Sequence, residues 1–132
     1  ALHPTLQSLC ELRLVRSTHG VITNVRPDHL DVMGPGERDV ALALAGTTPV
    51  GGVLFTAADC HLDVLEDAAR DRRSQLIRVP PSEIAEVRDE EMAGFRYLEH
   101  KENVALALRV CAEFGVARDM ALRGMWEAAP DP

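Results

Sequence analysis

Hydrophobic positions along the chain recur with two spacings, and their alternation is the first structural signal. After Pro4, the residues Leu6, Leu9, Cys10 and Leu14 return at helical intervals. Proline suits a first helical turn because its missing N–H costs nothing there. Gly20 is expected to break this helix, and Val21–Val25 reads as a first strand running into the polar turn Asp28-His29-Leu30-Asp31. Gly34-Pro35-Gly36 punctuates the chain, and Glu37–Ala45 predicts a helix with Val40, Ala41 and Leu44 on one face. Gly51-Gly52 introduces Val53–Thr56, a short apolar run of the buried-strand kind. Asp59 is then placed to cap a helix through Arg73, with Leu62, Leu65, Ala68 and Ala69 as its apolar stripe. Gln75–Val79 predicts a third strand, stopped by Pro80-Pro81.

Between Ser82 and Tyr97 the periodicity is ambiguous: Asp89–Gly94 suits one or two helical turns and Phe95–Leu98 an extended segment. Asn103–Phe114 carries the strongest helical pattern, with Gly115 positioned as its stop. A last helix is expected from about Ala117 to Ala128, carrying Met120, Ala121, Met125 and Trp126. Strands alternating with helices imply βαβ units, hence an α/β fold with a parallel sheet and helices on both faces. No internal repeat or low-complexity segment interrupts it.

Composition narrows the class. With 132 residues, 46% of them apolar and 27% charged, the chain suits one globular domain of ordinary size. Lys and Arg number 14 against 21 for Asp and Glu, a formal charge of −7, which argues against broad nucleic-acid binding while leaving a local anion pocket open. Lys101 is the only lysine. Cys10, Cys60 and Cys111 are odd in number and far apart, so reduced, structural cysteines of a cytosolic chain are expected. No apolar run approaches a membrane span, so membrane association would come through a partner. The chain starts on Ala and closes on Ala129-Pro130-Asp131-Pro132, and both ends read as internal to something longer.

In parallel sheets, ligands bind beyond the carboxyl ends of the strands, which is where Asn24 to Asp31 falls. Imidazole and carboxylate together suit a divalent ion, so His29 with Asp28 and Asp31 is one candidate centre; turn formation and helix capping by the two aspartates is the other reading. Glu99, His100 and Asn103 crowd a helix start, where free N–H groups favour polar partners, and an asparagine both donates to and accepts from an adenine edge. Plain capping is again the alternative. Arg70, Asp71, Arg72 and Arg73 read as a solvated helix end, and Met125 and Trp126 as packing residues. No nucleophile arrangement and no GxxxxGK[ST] phosphate loop are present.

Taken in order, GVITNVRPDHLDVMGP, GVLFTA, EEMAGFRYLEHKENVALALRV and GMWEAAPDP resemble the ATP-dependent ligase subunit of poly-γ-glutamate synthase, the capsule-biosynthesis ligase of the Mur ligase superfamily. The resemblance covers nearly the whole chain. Its NVRPDHLDxMGP and EHxENVALAL blocks are specific to that subfamily, whereas the superfamily shares only looser ITN…DHxD and asparagine-plus-helix patterns. It implies that residues 1–128 are the second half of a central ATP-binding domain and 129–132 the start of a linker to a further domain. The phosphate loop would precede Ala1, so the chain alone would be inactive.

The resemblance also implies a reaction: ATP phosphorylates the γ-carboxylate of a growing glutamate chain, and the amine of glutamate attacks the acyl phosphate. It assigns a magnesium ion to His29, orienting roles to Asp28 and Asp31, a lining role to Asn24, and adenine contact to Asn103 with Glu99 and His100 beside it. Superfamily members more often show His-Asn-x-x-Asn at that last site, where this chain has Glu99 and His100. Many also carry a carbamylated lysine near the position of Leu44, and none is found here. Implied partners are glutamate, the poly-γ-glutamate chain and membrane-embedded synthase subunits at the inner face of the membrane; a homo-oligomer is compatible with them, and nucleic acid is not expected. Two other functions stand beside this one: a Mur-type ligase for a cell-wall precursor, cyanophycin or folate, and a non-catalytic α/β scaffold.

Overall fold

The structure is a computed structural model that describes residues 3–128; the linker expected at 129–132 lies outside the described residues. The chain divides into two compact units, Ala1–Arg78 and Val79–Pro132. The first holds the sheet. Its elements are α1 (Pro4–Cys10), a π-helical turn (Glu11–Val15), β1 (His19–Ile22), α2 (Leu30–Met33), α3 (Glu37–Ala45), β2 (Val53–Thr56), α4 (Leu62–Asp71) and β3 (Gln75–Arg78). The strands are parallel in the order β1-β2-β3, with His19 opposite Val53 and Val53 opposite Gln75. The α/β fold with a parallel sheet is therefore as expected.

β2 is central and buries Leu54, Phe55 and Thr56, whereas no residue of β3 is fully buried. Around β2 the core gathers Ile22, Val25, Ala41, Ala45, Leu54, Ala58, Val64 and Leu65, with Leu44 packed against it. β1 lies earlier than Val21–Val25: pairing with β2 covers His19–Ile22, and Val25 enters the core from beyond the ladder. Gly20 is a strand residue rather than a break, since a Cβ there would sit 2.9 Å from the Pro49 side chain.

The stripe read in the first helix does not become core. Leu6, Leu9 and Leu14 are 54%, 46% and 78% exposed. After Cys10 the chain widens into the π-helical turn, whose Glu11 carbonyl accepts the Arg16 N–H at 2.8 Å, and this rotates later residues off the earlier stripe. Glu11 turns inward instead, and its Oε1 accepts both the N–H and the hydroxyl of Ser17 at 2.8 Å. α4 begins at Leu62, three residues after Asp59, because the preceding loop stays pinned to the core. Ala58 is buried and donates its N–H to Thr56 Oγ1, and the Cys60 thiol donates to the Val25 carbonyl.

The second unit is helical: α5 (Pro81–Ala85), α6 (Asp89–Met92), α7 (Lys101–Glu113) and α8 (Arg118–Glu127). Its buried residues include Val87, Val104, Ala105, Leu106, Leu108, Ala121 and Leu122, and α7 packs against α5 and α8. α7 ends as read from the sequence. Gly115 takes φ +71°, the Val116 N–H reaches the Cys111 carbonyl at 2.9 Å, and the Gly115 N–H reaches Ala112 at 3.0 Å. The ambiguous stretch resolves into the single-turn helices α5 and α6, too short to print a period; Phe95–Leu98 forms no strand, and Leu98 is 87% exposed. Among the described residues, no helix is long and apolar enough to cross a membrane.

Candidate functional site

β1 and β2 are parallel, so the loops after them leave from the same edge of the sheet. Each loop delivers a histidine to the N-cap of a helix in left-handed conformation: His29 before α2 at φ 45° and His61 before α4 at φ 51°. For a non-glycine residue this backbone is unfavourable by about 1 kcal/mol or more, and such strain clusters at functional positions.

At the first tip, Asn24 is half-buried while Asp28, His29 and Asp31 are exposed. His29 Nε2 lies 3.5 Å from Asp28 Oδ1, and the His29 carbonyl accepts the Val32 and Met33 N–H groups that open α2. No side chain caps this short helix. The tip thus combines an accessible imidazole with an adjacent carboxylate. Asp31 stands in the first turn of α2.

The second tip gathers a group that sequence reading did not bring together. Glu37 at the start of α3, Cys60 in the β2–α4 loop and His61 place one donor atom each within 4.8 Å of one another. Among the described residues this is the group of three potential metal donors, and His29 is not in it. His61 Nε2 is 3.3 Å from Glu37 Oε2, and beside them Arg38 pairs with Asp63 at 2.8 Å, tying the starts of α3 and α4 together. Burial, reinforced by the charges of Glu37 and Asp59, pushes the Cys60 thiol up. The hydrogen bond from Arg38 holds the Asp63 carboxyl below its ordinary value. Cys60-His61 adjacency was visible in the sequence, but Glu37 stands 24 residues before His61 and arrives only through the parallel pairing.

In the second unit, the residues singled out before α7 do come together. Glu99 Oε1 accepts the His100 N–H and the Asn103 Nδ2 group, each at 2.8 Å. His100 occupies the N-cap with its side chain exposed, and its carbonyl accepts from Asn103 and Val104. Glu99 thus braces the helix start, and no side chain caps α7. Asn103 keeps its Oδ1 buried and without a hydrogen-bond partner.

Two charged residues meet partners that the sequence does not announce. Arg72 is not part of a solvated helix end: it donates to the Thr48 carbonyl and, at 3.0 Å, to Ser8 Oγ. Glu91, in an acidic turn without any distinguishing pattern, is buried and held by Arg118 and Arg88. Thr48 and Ser8 stand 24 and 64 residues from Arg72 and Arg118 stands 27 from Glu91, so of these contacts only that of Arg88, three residues before Glu91, has a local spacing.

No protein-family model and no solved structure matches the chain. It is 36% identical over 132 residues to the Capsule biosynthesis protein CapB of Bacillus anthracis, covering 100% of this chain and 28% of that protein. It is 33% identical over 132 residues to PGA synthase CapB of Bacillus subtilis (strain 168), again covering 100% of this chain and 33% of that one. One relative is thus named for capsule biosynthesis and the other as a PGA synthase; the chain is similar throughout to both CapB proteins and spans a third or less of each.

Proposed function

We propose that the chain is part of an ATP- and magnesium-dependent acid–amino-acid ligase that extends poly-γ-glutamate. The observation that carries this reading is the similarity over all 132 residues to two CapB proteins, one named for capsule biosynthesis and one as a PGA synthase. In this reading residues 1–128 are the second half of the ATP-binding domain, and the phosphate loop and amine-binding domain belong to the rest of the protein. Membrane-embedded subunits hold it at the inner face of the membrane, where glutamate and the polymer end are its substrates.

The unpartnered Asn103 Oδ1 supports a nucleotide role. Glu99 engages the Nδ2 group and so fixes the carboxamide, and its buried Oδ1, once uncovered, is the atom to accept from the exocyclic amine of adenine. His100, exposed at the same helix start, flanks the base. At the β1 tip, His29 offers an accessible nitrogen for magnesium, Asp28 orients the ring and Asp31 adds negative charge nearby. Asn24 lines the approach. Bound there, magnesium supplies charge neutralisation for phosphoryl oxygens. The chain's own residues hold and orient, and none is required as a nucleophile.

The test uses the full-length protein with ATP, magnesium and labelled glutamate. Glutamate is expected to enter polymer with matching ATP consumption and a strict magnesium requirement. Incorporation that proceeds without ATP, or no incorporation in the presence of all partner subunits, overturns the reading.

A further inference from the structure

We propose that Glu37, Cys60 and His61 form a second metal site, one for a borderline-soft divalent cation of the zinc type, beyond the magnesium role assigned to His29. The argument starts from donor chemistry. A thiolate, an imidazole nitrogen and a carboxylate oxygen are the mixed S, N, O set that zinc takes, whereas magnesium prefers oxygen ligands and its waters. The three donor atoms already lie within 4.8 Å of one another. Around a tetrahedral zinc, donors stand roughly 3.3–3.8 Å apart, given bonds of about 2.0–2.3 Å. Glu37 Oε2 and His61 Nε2, at 3.3 Å, already meet that spacing, and the Cys60 sulfur lies within 4.8 Å of both.

Position agrees. The group lies in loops and helix starts beyond the strand ends, where parallel sheets place their ligands. All three residues are half-buried, enough to limit competition from water while leaving an entry path. On binding, the Cys60 thiol gives its proton to solvent as the sulfur–metal bond forms, and the thiol's hydrogen bond to the Val25 carbonyl is exchanged for that bond. Three protein ligands leave a fourth position open to water or to a substrate oxygen.

Cobalt(II) serves as the spectroscopic probe, added to the full-length protein in excess magnesium. A sulfur-to-cobalt charge-transfer band in the near ultraviolet is expected, saturating at one equivalent for this site. The band should disappear in Cys60→Ser and persist when Cys10 and Cys111 are both changed to serine. His61→Ala and Glu37→Gln should weaken cobalt binding by roughly tenfold or more, since even losing a supporting group costs about 10–100-fold. A band that survives Cys60→Ser, or the absence of any sulfur band, overturns the proposal and leaves an ion pair beside a structural thiol. If Cys60→Ser fails to fold by circular dichroism, unchanged cobalt affinity in folded His61→Ala overturns it equally.

Discussion

Arg118 grips both oxygens of Glu91, with Nε 3.0 Å from Oε1 and Nη2 2.9 Å from Oε2, across 27 residues of sequence. Arg88 adds its backbone N–H at 2.8 Å and a guanidinium contact at 3.2 Å, while the indole of Trp126 donates to the Glu91 carbonyl at 2.9 Å. One buried carboxylate thus fastens α6 to the start of α8. A bidentate, charge-assisted arrangement of this kind is costly to break because it strands its partners.

Glu91→Gln keeps the shape of the side chain but removes the charge. It is expected to destabilise the helical unit by about 1–3 kcal/mol, the usual cost of an unmatched buried polar group. Urea unfolding followed by circular dichroism checks this; an unchanged midpoint would show that the cluster is not a fastening.

The same cluster sets a direction for acid stability. The hydrogen bond from Arg118 holds the Glu91 carboxyl at about 2, below the ordinary glutamate value of 4.5, so the unfolded chain binds the proton more readily than the folded one. The stabilisation is fully present above the unfolded value and is lost as pH falls through it towards about 2. Asp63 and Asp89, also lowered by Arg38 and Lys101, act in the same direction. Urea midpoints should fall through this acid window in the parent protein and fall less steeply in Glu91→Gln.

Gly94 is required by packing. A Cβ at that position would enter the indole of Trp126, the single tryptophan of the chain. Gly94→Ala is expected to cost about 1–3 kcal/mol through overpacking, and to shift Trp126 emission to the red as the ring is displaced. Native emission and stability in this variant would mean that the ring moves aside freely.

At His29 the proposed magnesium role can be tested apart from folding. It is 46% exposed at the side chain and sits at φ 45°, a conformation glycine adopts without strain. His29→Gly should therefore leave stability within about 0.5 kcal/mol while abolishing magnesium-dependent ligation in the full-length protein. Unaltered turnover removes His29 from the mechanism.

Asn103→Ala tests the nucleotide role separately. Losing the Oδ1 acceptor should raise the KM for ATP well beyond any fall in kcat, the signature of lost uniform binding. An unchanged ATP dependence would reduce Asn103 to a partner of Glu99.

The strands and the long helices were legible because each carries its own period. β2, α3 and α7 each occupy nearly the residues that apolar spacing marks out, and Gly115 ends α7 by a local rule of backbone sterics. Where spacing misled, a distant contact overrode it. β1 begins at His19 because pairing with β2 selects that register, and α4 starts late because Ala58 and Cys60 are held by the core. The apolar residues of α1 looked like a core stripe, yet periodicity reports only that residues share a face, not that anything covers it.

By itself, then, the sequence determined the α/β character, the strand tip bearing His29 and the polar cluster at the start of α7, since these depend on neighbours within a few residues. The tertiary structure decided what those groups meet. It joined Glu37 to Cys60 and His61 through parallel strand pairing, buried Glu91 between Arg88 and Arg118, and left Asn103 Oδ1 without a partner. The physical reason is the same in each case: hydrogen bonds and ion pairs between residues far apart in sequence form only after the backbone has been placed, and no local spacing encodes them.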